Sequence, residues 1–97
     1  MVQLALYVRL KAKPGKENEI EDFLKSGLEL VQQEPETINW YAIKMGNGRY
    51  GIFDTFNHEA GRQAHLSGKV AEALMAKAAD LFSEDPVIEK VDLIAAK

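Results

Sequence analysis

Both histidines of the chain lie in the stretch "FNHEAGRQAHLSGKV", residues 56–70, seven positions apart. The 97 residues include no cysteine, so the groups able to do chemistry near neutral pH are His58, His65, the carboxylates and the tyrosines. Disulfides, thiolate metal sites, iron–sulfur clusters and thiol nucleophiles are excluded together. On one helix, residues seven apart share a face but stand about 10 Å apart along the axis. That is too far for two nitrogens to hold one ion at about 2 Å each, and no metal site is expected. Ser67, His65 and Asp54 can be drawn as a triad, yet no nucleophile elbow of the form G-x-S-x-G surrounds the serine. "GNGRYG" contains G-x-G, but it separates two strands instead of opening a helix, which rules out a dinucleotide fingerprint.

Asp54 and His65 are more informative. Ile52, Asp54 and Phe56 alternate onto one face of a strand, and the helix that follows folds back over that face carrying His65. A carboxylate between two apolar neighbours either reaches a solvated rim or is buried with a partner, because an unpaired buried charge is costly. His65, Arg62 and Tyr41 are the candidate partners. Paired with His65, Asp54 would form a polar spot in an apolar pocket, fit to take a proton near neutral pH. Trp40 and Tyr41 are adjacent on another strand and point to opposite faces. A two-residue Asn47-Gly48 turn would set Tyr41 opposite Asp54, and a three-residue Gly46-Asn47-Gly48 turn would set Trp40 there. The sequence leaves both open. His58, in the first turn of its helix, is expected at the surface.

The elements that must position these residues follow from periodicity. Val2 to Lys13 alternates apolar and polar side chains, as a half-buried strand does. Pro14 and Gly15 break it. Ile20, Phe23, Leu24, Gly27, Leu28 and Val31 recur at three-and-four spacing, which predicts an amphipathic helix over about 16–33. Gly27, mid-helix, costs about 1 kcal/mol relative to Ala and is expected where a neighbouring element approaches closely. Glu34, before Pro35, ends the helix. Strands over 37–45 and 49–56 meet at Asn47-Gly48, a strong hairpin signal. Asn57 is the expected N-cap of a helix running to Leu66. Ser67 and Gly68 interrupt it, a second helical run covers 69–82, and the last strand covers 87–95.

This order, βαββαβ, predicts a single α+β domain over 1–97 of the ferredoxin-like kind, a four-stranded antiparallel sheet with helices on one face. The opposite face carries Ala5, Tyr7 and Phe53, and a half-apolar face left open marks an interface, so a homodimer through the open sheet face is expected. At 46% hydrophobic and 28% charged residues, the composition is that of a globular protein. A net charge of −3 with scattered Lys and Arg gives no basic footprint for nucleic acid. No window reaches the ~20 apolar residues of a membrane span. The first residues, "MVQLALYVRLKAK", lack the basic start of a signal peptide, and a cytoplasmic location is the default expectation.

The stretch "YGIFDTFNHEAGRQAHLSGKVAEAL" resembles the antibiotic-biosynthesis monooxygenase family, in particular its small quinol-monooxygenase-like members. The resemblance rests on an acidic residue two before an aromatic at the strand end, Asp54 and Phe56, followed nine residues on by Ala64-His65-Leu66. "KPGK" after the first strand and "QEP" before the second fit the same pattern. Phe56 stands where Trp is usual, and Ser67-Gly68-Lys69-Val70 lacks a second histidine that is frequent there. The resemblance implies a dimeric α/β barrel with a pocket between sheet and helices, and oxidation of a small aromatic, anthrone or quinol by O2 without metal, flavin or haem. In that setting His65 would accept the proton and Asp54 would orient it, with Trp40, Tyr41 and Phe56 holding the ring system. Ile52 and Arg62 fall on positions that are polar in anthrone oxygenases and complete the substrate-binding candidates. The alternatives are a non-catalytic dimeric barrel that binds a hydrophobic small molecule, and a structural or stress-related dimer.

Overall fold

The computed structural model describes residues 2–97. Seven elements follow in the order β1 (Leu4–Lys11), α1 (Glu17–Val31), β2 (Thr37–Gly46), β3 (Arg49–Phe56), α2 (Glu59–Leu66), α3 (Lys69–Leu81) and β4 (Val87–Asp92). The strands form one antiparallel sheet in the order β2-β3-β1-β4, with β3 and β1 at its centre. This is the ferredoxin-like α+β arrangement that the element order predicts.

Cross-strand partners share a face, so the register sorts the side chains. Leu6, Val8 and Leu10 of β1 lie opposite Asp54, Ile52 and Tyr50 of β3, all beneath the helices. α1 adds Ile20, Leu24, Gly27 and Val31, and α3 adds Val70, Leu74, Ala78 and Leu81, each set at the helical repeat. On the other face Tyr7 lies between Phe53 and Glu89, and Phe53 lies next to Tyr41. Tyr41, Ile43 and Val87 are substantially exposed.

Several boundaries differ from the sequence reading, among them α1, which ends at Val31 and not at 33. The N-cap of α2 is His58, in extended conformation and exposed, and no side chain caps the helix. Asn57 lies one residue too early for that position. β4 ends at Asp92 instead of continuing to 95, one further ladder bond running from Leu93 N–H to the Gln3 carbonyl. The first strand covers Leu4–Lys11, the core of the longer alternating run.

Candidate active site

The hairpin register decides what lies beside Asp54. The turn is the two-residue kind: Gly46 pairs with Arg49, and Asn47 and Gly48 both have positive φ, 55° and 73°. The register then shifts between Lys44 and Gly46, so Met45 is an extra residue on β2. One inserted residue moves every side chain beyond it to the other face. Trp40 therefore lies opposite Asp54 and Tyr41 opposite Phe53, although the turn itself is the one that would have placed Tyr41 at Asp54. Leu6 flanks Asp54 on the other side, and the carboxylate is fully buried.

α2 brings His65 over this strand. Its Nε2 stands 2.8 Å from Asp54 Oδ2, off the line of a hydrogen bond, and its ring tilts at 46° to that of Phe56 with centroids 5.5 Å apart. The other nitrogen, Nδ1, lies 2.6 Å from Glu34 Oε1, an oxygen that also accepts from Thr37 Oγ1 at 2.8 Å. The imidazole is thus held between two carboxylates. Burial works against its charged form, but Asp54 and Glu34 outweigh burial and raise its pKa above the ordinary 6.5. Two glycines permit this approach. A Cβ on Gly61 would come within 2.9 Å of Glu36 Cβ, and one on Gly68 within 3.0 Å of Glu34 Oε2.

Two cavities border the cluster. One of about 270 Å³ opens between the α1–β2 corner and the α2–α3 junction, lined by Leu30, Glu34, His65, Gly68 and Lys69 among others. The second, about 230 Å³, lies between α1, α3 and the sheet, lined by Phe23, Gly27, Leu30, Trp40, Ile52 and Leu74 among others. The Trp40 ring passes 3.5 Å from where a Cβ of Gly27 would sit, an ordinary contact distance, so the ring packs on α1 here but leaves room for an alanine. Three buried side-chain polar atoms among the described residues lack a hydrogen-bond partner: Trp40 Nε1, Asp54 Oδ1 and Asp54 Oδ2. All belong to one cross-strand pair, a donor and two acceptors. Trp40 Nε1 and Asp54 Oδ1 are thus buried without a partner, at a cost of about 1–3 kcal/mol each, whereas Asp54 Oδ2 is met by His65 Nε2 in an ion pair at 2.8 Å.

The sequence-derived residues divide by place. Asp54, His65, Phe56 and Trp40 come together, and Ile52 lines the apolar cavity. Tyr41 points from the opposite face of the sheet and is 54% exposed. Arg62 is buried but turned to other partners: Nε and Nη2 bond Glu59 at 3.2 and 2.6 Å, and Nη1 donates to the carbonyls of Ala5 and Val91. It ties α2 to β1 and β4. In the sequence Glu34 marks only a helix end, through Pro35, but α1 stops earlier, at Val31, and Glu34 lies in the corner that leads into β2. Among the described residues no group of three or more His, Asp or Glu has the arrangement of metal ligands, and no helix is long and apolar enough to cross a membrane.

No protein-family model and no curated protein matches the chain. Solved structures do. An antibiotic biosynthesis monooxygenase superposes with a TM-score of 0.81 at 14% identity, over 95% of this chain and 99% of that one. A Caulobacter crescentus protein, proposed to be an antibiotic biosynthesis monooxygenase, superposes with a TM-score of 0.83 at 20% identity, over 97% and 92%. The fold is thus that of the antibiotic biosynthesis monooxygenase structures, as the sequence resemblance implies. A protein of unknown function from Nitrosomonas europaea is 57% identical, with a TM-score of 0.97 over 100% of this chain and 94% of that one. The chain belongs to the same family as that Nitrosomonas protein.

Proposed function

We propose that this single domain, residues 1–97, is a cofactor-independent monooxygenase that oxidises a small aromatic, anthrone or quinol with O2 as a cytoplasmic homodimer. The observation that carries this reading is the buried Asp54–His65 pair next to Trp40, whose indole N–H has no partner and whose ring lines an apolar cavity. A hydroxyl on a flat ring matches it, accepting from Trp40 Nε1 and donating to Asp54. His65 and Asp54 are the catalytic residues, and Phe56, Ile52 and Trp40 shape the pocket. With both ring nitrogens facing carboxylates, His65 is the cation of the pair. Asp54 then takes the substrate proton while His65 holds the charge left in a buried site. The electron-rich anion so formed reduces O2 itself. On an anthrone, a ring CH2 becomes C=O with one oxygen atom, and the other leaves as water. The protein supplies orientation, a dry cavity and a proton acceptor.

The exposed Tyr41, Ile43 and Val87 support a second copy of the chain against the open sheet face. Tyr41 then contacts the partner and not the ring system, and Arg62 holds α2 in place. A non-catalytic barrel is favoured by one observation: Asp54 and His65 are not among the residues lining the 230 Å³ cavity. Oxygen uptake with a panel of anthrones and hydroquinones separates the two readings. Monooxygenation predicts uptake above buffer that His65→Ala abolishes, whereas saturable binding without uptake identifies the barrel as a binder. Light scattering at micromolar concentration tests the dimer, and a stable monomer there contradicts it.

A further inference from the structure

Glu34 transfers no proton in the proposed reaction, yet it makes the shortest contact of the cluster, 2.6 Å to His65 Nδ1. It sits in the α1–β2 corner, 31 positions from His65 in sequence, and its Oε1 receives both the Nδ1–H of His65 and the hydroxyl of Thr37. Its side chain is 21% exposed, whereas that of Asp54 is fully buried. It lines the 270 Å³ surface cavity together with His65, Glu36 and Lys69. Gly68 leaves room for this carboxylate, since a Cβ there would come within 3.0 Å of Glu34 Oε2.

We propose that Glu34 is a positioning residue of this site: it anchors the Nδ1–H of His65, fixes the ring so that Nε2–H faces Asp54, and keeps the ring charged. The inference rests on the functional reading only for its consequence in catalysis. The charged groups facing the ring are Asp54 from β3 and Glu34 from the corner, with Glu36 and Lys69 on the shared cavity. Arg62, on the same helix, is engaged by Glu59 and backbone carbonyls. A single carboxylate beside the ring would hold the charge less firmly, and burial would then favour the neutral imidazole.

The test is the titration of His65, followed by nitrogen NMR of its imidazole in wild type, Glu34→Gln and Thr37→Val. In wild type both ring nitrogens are expected to be protonated at neutral pH. Glu34→Gln preserves the shape and an acceptor but removes the charge, and should lower the His65 midpoint by about one pH unit or more. Thr37→Val keeps the charge and should lower it less. A neutral ring in wild type, or the same midpoint in wild type and Glu34→Gln, overturns the proposal, and the wild-type spectrum decides even if a variant fails to fold. Oxygen uptake on the same samples is a separate readout. If wild type consumes no oxygen, the functional reading fails while the titration still judges Glu34.

Discussion

Tyr50 and Asp54 stand four residues apart on one strand, on the same face and under the same helices, and the fold treats them in opposite ways. Tyr50 is 2% exposed, but its hydroxyl is led to the rim, where it donates to Glu21 Oε2 at 2.6 Å. Glu21 in turn meets Lys44 Nζ at 2.9 Å. Burial and the Glu21 carboxylate push the phenol up to about 12, so Tyr50 is a packed, satisfied residue that does not titrate under ordinary conditions. Asp54 has an equally buried position without a route to the rim: His65 Nε2 lies 2.8 Å from its Oδ2, and its Oδ1 has no partner. One end of the core has resolved its polar group for stability. The other places a buried carboxylate against an imidazole whose pKa it raises, beside an indole N–H without a partner.

Substitutions at the two ends sharpen that contrast. The largest effect is expected for Asp54→Asn, which should slow oxygen uptake about 10²–10⁴-fold by removing the proton acceptor. Next is His65→Ala: it leaves Asp54 buried and unpaired, and urea unfolding should show a loss of about 3–5 kcal/mol. Replacing both groups together, by Asp54→Leu with His65→Phe, should recover most of that loss while leaving the protein inactive. The same pairing fixes the pH dependence. Because the folded pKa of His65 is raised, its contribution is fully present below the unfolded value near 6.5 and fades as pH rises through the folded value. The gap in unfolding midpoint between wild type and His65→Ala should therefore narrow on the alkaline side. Gly61→Ala, which pushes a methyl against the backbone-linked Cβ of Glu36, should cost about 1–3 kcal/mol. Tyr50→Phe should be the mildest, about 1 kcal/mol for one hydrogen bond at the rim, with oxygen uptake unchanged.

The difference between the two ends also sets what the sequence reveals. Alternation in β1 and β3 and the three-and-four spacing in α1 and α3 are local, so element order and the shared face of Ile52, Asp54 and Phe56 can be read directly. His65 is legible for the same reason, since α2 begins just after β3 and must fold back over it. The neighbour across the hairpin is not. The Asn47-Gly48 turn is plain in the sequence, but the extra residue at Met45 has no local mark, and it alone brings Trp40 to Asp54. Glu34 is hidden more deeply, because its contact with His65 depends on how the α1–β2 corner packs under α2. The half-apolar sheet face is legible as a surface, and its occupant is a matter for solution measurement.

Trp40 is the sole tryptophan of the chain, so its emission reports on its pairing with Asp54 without labelling. The decisive measurement is a fluorescence titration under nitrogen with hydroquinone and with p-xylene, which has the same outline but methyl groups for hydroxyls. If Trp40 Nε1 and Asp54 await a hydroxyl, hydroquinone should change the emission saturably and bind about tenfold or more tightly than p-xylene, a preference that Asp54→Asn weakens. Equal titration by the two molecules, or no saturable change with either, would contradict the assignment of this pair as the binding site.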